Sequence, residues 1–164
     1  MKNAGMRIKK PKQRGEWAEL RFMARAAENG LSVSKPWGDS GRYDVVVDHN
    51  GQLLRIQVKS TMHKSHGSRV CNSRPDITKR YKQREFDFLA AYIIPDDIWY
   101  IFPSLVVSKR INLWLAPHKK KSPVRALQRG LGPAETEKVL KWDAVSVSFR
   151  FWVAQRFSAA VSCQ

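Results

Sequence analysis

Hydrophobic positions recur with two different periods along this chain of 164 residues, and each change of period marks an element. Between Gly15 and Asn29, the apolar residues Trp17, Leu20, Phe22, Met23, Ala24, Ala26 and Ala27 are interleaved with Glu16, Glu19, Arg21, Arg25 and Glu28. That spacing predicts an amphipathic helix. Asn29-Gly30 stops it, because glycine accepts the left-handed conformation at a helix C-terminus. Leu31 to Lys35 alternates as a short strand. Arg42–Asp48 and Leu53–Lys59 read as two longer strands, and Asn50-Gly51 between them is a type I′ hairpin signal. Residues 60–84 are polar and basic, and no element is assigned to them. Phe86–Ile94 and Ile98–Phe102 are apolar runs separated by Pro95-Asp96-Asp97, which predicts a second hairpin. Residues 105–115 fit strand or helix. Further on, the pattern predicts a basic turn at His118–Lys121, a helix over Ala134–Leu140 and a strand over Val145–Val153. There is no internal repeat.

The first hairpin has a definite register. With Asn50 and Gly51 as the loop, His49 pairs with Gln52, Val47 with Leu54, Val45 with Ile56 and Asp44 with Gln57. Side chains alternate faces along a strand. One face then carries Val45, Val47, Leu54, Ile56 and Val58, a core surface. The other carries Asp44, Gln57 and Lys59 at the end away from the turn, with Val46, Asp48, Leu53 and Arg55 nearer to it. A slip of one residue would bury all three polar groups, which argues for this register. Such a cluster is either a solvated cross-strand ion pair or a site. An acid, a second oxygen ligand and a lysine are what metal-assisted phosphodiester hydrolysis needs. Mg²⁺ takes hard oxygen ligands and keeps several waters, so one or two carboxylates suffice.

Charge narrows the choice. The chain carries 30 Lys and Arg against 14 Asp and Glu, a formal net charge of +16. With 43% hydrophobic residues it builds a core, so it is not a disordered basic tail. The excess calls for a polyanionic partner, with nucleic acid ahead of an anionic membrane surface. No run of about 18 apolar residues is present, so no membrane-spanning helix is expected. The N-terminal stretch lacks the apolar core of a secretory signal. Cys71 and Cys163 form neither a CxxC pair nor a Cys/His cluster, which fits a reducing, cytoplasmic setting.

Asp44, twelve intervening residues and Gln57-Val58-Lys59 resemble the PD-(D/E)xK nuclease signature. The helix from Gly15-Glu16-Trp17-Ala18-Glu19 resembles the first helix of that fold. Pro36-Trp-Gly-Asp-Ser-Gly-Arg-Tyr-Asp44 and Arg55-Ile-Gln-Val-Lys59 are most similar to the group I intron homing endonuclease branch. Asp87–Pro95 and Trp99–Pro103 resemble the same branch, and the likeness covers roughly residues 13–115. Archaeal Holliday junction resolvases share the core and the leading glutamate.

The resemblance implies an α/β, restriction-endonuclease-like core with a mixed central β-sheet flanked by helices. It implies a Mg²⁺-dependent endonuclease, with Mn²⁺ as substitute, acting on double-stranded DNA. Glu19, Asp44 and Gln57 would form the metal site and Lys59 would serve the water and the phosphate. Glu19 matches the leading glutamate better than Glu16 by position. Its other reading is an exposed salt bridge with Arg21 or a nearby lysine. The chain departs from the signature twice. Tyr43 precedes Asp44 in place of proline, and Gln57 replaces the second acid, bringing an oxygen without charge. The homing branch shows this QxK form.

The expected organisation is a flexible basic arm at 1–14, a nuclease core at 15–115 and a C-terminal extension at 116–164 packing on the core or at an oligomer interface. Lys64, Arg69, Lys79, Arg80, Lys82 and Arg84 are candidate phosphate contacts, which fix position without reading sequence. Tyr81 is a candidate backbone contact. His63 and His66 are read as phosphate-contacting or loop residues. Arg74-Pro75-Asp76 and Pro95-Asp96 are decoys of the motif, since no strand carrying ExK or QxK follows either. Cleaving two strands needs two sites, so a homodimer or homotetramer is expected. Competing readings are a Holliday junction resolvase, a DNA-binding module that has lost its metal, and a basic RNA-associated protein.

Overall fold

The computed structural model describes residues 6–38, 41–49, 51–75, 78–82, 84–108, 110–116 and 140–142. The chain begins with helix α1, Pro11–Glu28. It starts four residues before the expected Gly15, within the stretch expected as a flexible arm. Proline at the first helical position is pre-set for the helix and loses no hydrogen bond there. Residues 11–14 carry no apolar side chain beyond the proline, so periodicity could not reveal this first turn. Ala18, Phe22 and Ala26, spaced four apart, form the buried stripe. Gly30, at φ +73°, closes the helix as expected.

Among the described residues nine strands follow, in two sheets. They are β1 Ser32–Ser34, β2 Val45–His49, β3 Gln52–Thr61, β4 Lys64–Ser65, β5 Ser68–Asn72, β6 Phe88–Ile93, β7 Ile98–Pro103, β8 Asn112–Leu115 and β9 Leu140–Trp142. A four-residue helix α2, Ser104–Val107, lies between β7 and β8. The six-stranded sheet has the order β1-β2-β3-β6-β7-β9. Its β3–β6 pair is parallel and its other pairs are antiparallel, so it is mixed. The β2–β3 register is the expected one: Val45 faces Ile56, Val47 faces Leu54 and His49 faces Gln52. The second hairpin also forms, β6 against β7, around a 3-10 turn at Ile94–Asp96.

Each face of the large sheet is covered. Helix α1 lies on one, where Phe22 meets Trp99 edge-on at 5.5 Å and Tyr92 stacks on Trp99 at 4.2 Å. Val45, Val47, Leu54, Ile56 and Val58 belong to this core, as the hairpin register required. The opposite face buries Leu89, Ala91, Tyr100 and Phe102 against Cys71, Tyr81, Phe86 and Leu113. Strands buried on both faces read as unbroken apolar runs, which is why β6 and β7 were conspicuous.

That second layer is a three-stranded sheet, β4-β5-β8, and the polar pattern of 60–84 concealed it. Ser65 pairs with Ser68, so His66 and Gly67 form a two-residue loop, both with positive φ. Residues 105–115 resolve the strand-or-helix alternative by containing both, the end of α2 and then β8. Cys71 is a free thiol whose complete burial pushes its pKa up to about 12. Leu140, expected as the last helical residue, is the first of β9. The rest of that helix, the 145–153 strand and Cys163 lie outside the described residues.

Asp97 clamps α1 to the β6–β7 turn. Arg21 donates to its Oδ1 at 2.9 Å, Tyr92 donates to the same oxygen at 2.7 Å, and Arg25 approaches Oδ2 at 3.5 Å. Burial alone would raise the Asp97 pKa, but these three partners hold it below the usual range. A depressed carboxylate stabilises the fold above its unfolded pKa, and that contribution is lost as pH falls through its folded pKa. Asp97→Asn is expected to cost about 1 kcal/mol at neutral pH, since the pair is partly solvent-screened. Urea melts of both proteins should converge as pH is lowered through the carboxylate range. A gap that persists there would contradict the clamp.

Candidate active site

The hairpin register brings Asp44, Gln57 and Lys59 together at the end of β2–β3 opposite the turn. The Asp44 backbone N–H donates to Ile56 O at 2.9 Å, extending the ladder one residue past β2. Its side chain leans across to β3, where the Val58 N–H donates to Oδ2 at 2.7 Å and Gln57 Nε2 donates to the same oxygen. Gln57 is 7% exposed. Lys59 lies two residues on along the same face, its Nζ 5.8 Å from the centre of the Tyr81 ring.

Asp44 is crowded by more than Lys59 and Gln57. It lines a cleft of about 400 Å³ together with Lys12, Glu16, Glu19, Lys35 and Tyr43. Lys12, Glu16 and Glu19 recur at helical spacing, so one face of α1 forms a wall. Lys35, just past β1, donates to Glu19 Oε2 at 2.7 Å. The ion-pair reading of Glu19 is therefore also realised, with Lys35, whereas Arg21 is engaged by Asp97.

Burial raises the Asp44 pKa to about 6. The Val58 N–H opposes the shift, the Glu19 carboxylate adds to it, and Lys59 and Lys35 oppose it again. The Lys35 pKa is raised, mainly by its bond to Glu19, with Asp44 and Glu16 contributing. The net result is a cleft short of positive charge. Among the described residues no three His, Cys, Asp or Glu side chains cluster as a metal site. The expected donors, Glu19, Asp44 and Gln57, are two carboxylates and one amide, and Glu16 lines the same cleft. That set fits a small, hard cation that keeps much of its water, and not a soft or tetrahedral metal.

Residues 9–129 match the model of the PD-(D/E)XK endonuclease family. The chain belongs to that family. Its structure is also similar to that of a bacterial homing endonuclease, I-Ssp6803I. The two share 29% identity at a TM-score of 0.59, over 78% of this chain and 97% of that one. No curated protein matches the chain significantly. The restriction-endonuclease-like α/β fold expected from the sequence is thus the fold found.

Of the endonuclease's basic candidates, Lys79, Arg80, Lys82 and Arg84 are exposed and flank Tyr81, so their segment passes beside Lys59. Lys64 is exposed on β4. Arg69 is a different case: its Nε donates to Asp96 Oδ2 at 3.1 Å and its Nη1 to Met62 O at 3.2 Å. Both contacts are within the molecule, and polarity along the chain could not signal them. Tyr81, expected at the DNA backbone, is 5% exposed and packs edge-on against Phe86 at 4.8 Å. Burial, with the Asp44 and Glu85 carboxylates adding, raises its pKa. It is a floor under Lys59. His66 pairs with Ser65 Oγ at 2.9 Å and lies against Trp114, and the His63 N–H donates to Thr61 Oγ1. Of the decoys, Asp96 holds Arg69 and Asp76 lies outside the described residues. Lys35 and Arg42 escaped the sequence reading. Lys35 follows a three-residue strand and Arg42 reaches Glu85 at 3.7 Å, relations that no local period encodes.

Proposed function

We propose that this endonuclease hydrolyses phosphodiester bonds of double-stranded DNA with Mg²⁺, or Mn²⁺ in its place, as a site-specific enzyme of the homing type. The observation that carries the reading is a cleft lined by Glu19 and Asp44, with Gln57 bonded to Asp44 and Lys59 near enough to act on its charge, in a chain of net charge +16. Glu19 and Asp44 would hold the ion, and Gln57 would fix the Asp44 rotamer and offer its carbonyl oxygen as a weak or outer ligand. Bound there, the ion would supply Lewis-acid stabilisation of the phosphoryl oxygens. Lys59 would orient the attacking water and offset the charge developing on the phosphoryl group. Water oxygen would bond to phosphorus as the phosphorus–ester oxygen bond breaks, the water giving up a proton to solvent and the departing ester oxygen taking one from solvent. Lys64, Lys79, Arg80, Lys82 and Arg84 would grip phosphates. A homodimer or homotetramer would supply a site for each strand.

Lys35 neutralises Glu19 while no ion is bound, so ion binding and the Lys35–Glu19 bond compete. Lys35→Gln is expected to tighten Ca²⁺ binding roughly tenfold in calorimetric titration. Lys12→Gln, which lines the same cleft without a bond to Glu19, should change it much less. Equal effects, or weaker binding in Lys35→Gln, would contradict the competition.

The type of enzyme is tested by sequencing the ends left on a randomised duplex library and on a four-way junction. Cuts at one long discrete sequence support the homing reading. Cuts confined to the junction would replace it with a resolvase, and ligand binding without any cut would favour a DNA-binding module.

A further inference from the structure

Trp37 is 101% exposed, the extreme among the large apolar side chains described. Trp17, by contrast, packs against the core, and Trp99 is within it at 2% exposed. An indole left wholly in water forgoes the largest burial gain of any side chain. Its position is specific. Pro36 and Gly38, its chain neighbours, line the cleft that holds Glu19 and Asp44, as does Lys35. Trp37 therefore stands on the rim, a residue away from groups facing the site. Proline fixes one side of the turn, and Gly38 on the other has φ +72° with open space around it. A side chain with only two rotatable bonds, following a proline of fixed φ, is presented at small entropic cost.

What comes to this rim is set by its surroundings. The whole chain is strongly cationic, and the exposed Lys12 stands on the cleft lining and the exposed Arg42 between its lining residues Gly41 and Tyr43 in sequence. A polyanion drawn to those charges brings flat apolar surfaces with it only if it is a nucleic acid. We propose that Trp37 is a base-stacking contact, its indole lying on or between bases that flank the phosphate seated in the cleft. The inference rests on the DNA reading above and goes further by assigning a residue that reads no sequence but grips an opened base step.

Stacking and phosphate contacts respond differently to salt, and this separates them. Binding of the full chain to a fluorescein-labelled, random-sequence duplex is measured by anisotropy in EDTA, so that nothing is cut, over a series of salt concentrations. Trp37→Ala is expected to weaken binding roughly tenfold at every salt concentration, leaving the slope of log Kd against log salt unchanged. Trp37→Phe should recover most of the loss. Arg80→Gln, the phosphate control, should weaken binding and lower the slope by about one. Trp37→Ala binding as tightly as wild type would overturn the proposal. So would a slope change like that of Arg80→Gln, or no recovery in Trp37→Phe. Wild type that does not bind duplex even at low salt would overturn the DNA reading itself, a distinguishable result.

Discussion

Asp44→Asn is expected to lower cleavage by roughly a thousandfold or more and, at the same time, to stabilise the metal-free protein. The two effects share a cause. Asp44 is half-buried beside Glu19, and its pKa is pushed up to about 6. A raised carboxylate costs nothing below its unfolded pKa, costs progressively more between the two values, and costs the full amount above the folded one. At neutral pH the ionised group therefore destabilises the fold. An amide removes the charge and can still accept the Val58 N–H through its oxygen. The gain in EDTA should be about 3 kcal/mol near pH 7.5 and should all but vanish near pH 3.5. Thermal melts across that range check it. A variant that melts below wild type at neutral pH, or cleaves at the wild-type rate, would contradict the role given to this residue.

Lys59→Met is expected to reduce cleavage by a factor of roughly 100 to 1,000 while DNA binding in Ca²⁺ stays within about threefold of wild type. Methionine keeps the apolar stem over the Tyr81 ring, so the floor of the site is preserved and only the ammonium is lost. A single-turnover rate on nicked and intact plasmid separates the catalytic loss from binding. Equal losses in binding and rate would make Lys59 a phosphate anchor instead.

The parts of this molecule that were legible in the sequence are those governed by local period. The Asn50-Gly51 turn fixed the loop, the alternation fixed the faces, and the β2–β3 register followed residue for residue. The β6–β7 hairpin was equally plain because both strands are buried on both sides. What stayed hidden depends on contacts between distant segments. Strands β4 and β5 are short and polar, and become strands because β8, about 45 residues further on, pairs with β5. Their only local mark is Gly67. The proline start of α1 carries no apolar residue and looked like tail. In the site, Asp44, Gln57 and Lys59 were visible because one hairpin carries all three. The Lys35–Glu19 bond joins residues 16 apart across a helix and a loop, and Arg69 is held by Asp96 from the turn between β6 and β7. Charge along the chain marks a basic residue as available, but only the fold shows which acids have already claimed it.

The most direct measurement is cleavage of supercoiled plasmid carrying a selected target, with Mg²⁺ and with EDTA, by wild type and by Asp44→Asn and Lys59→Met. Nicking or linearisation by wild type in Mg²⁺ alone, lost in both variants, is the predicted result. Cleavage that persists in EDTA, or that Asp44→Asn retains in full, would contradict a metal-dependent nuclease built on this cleft.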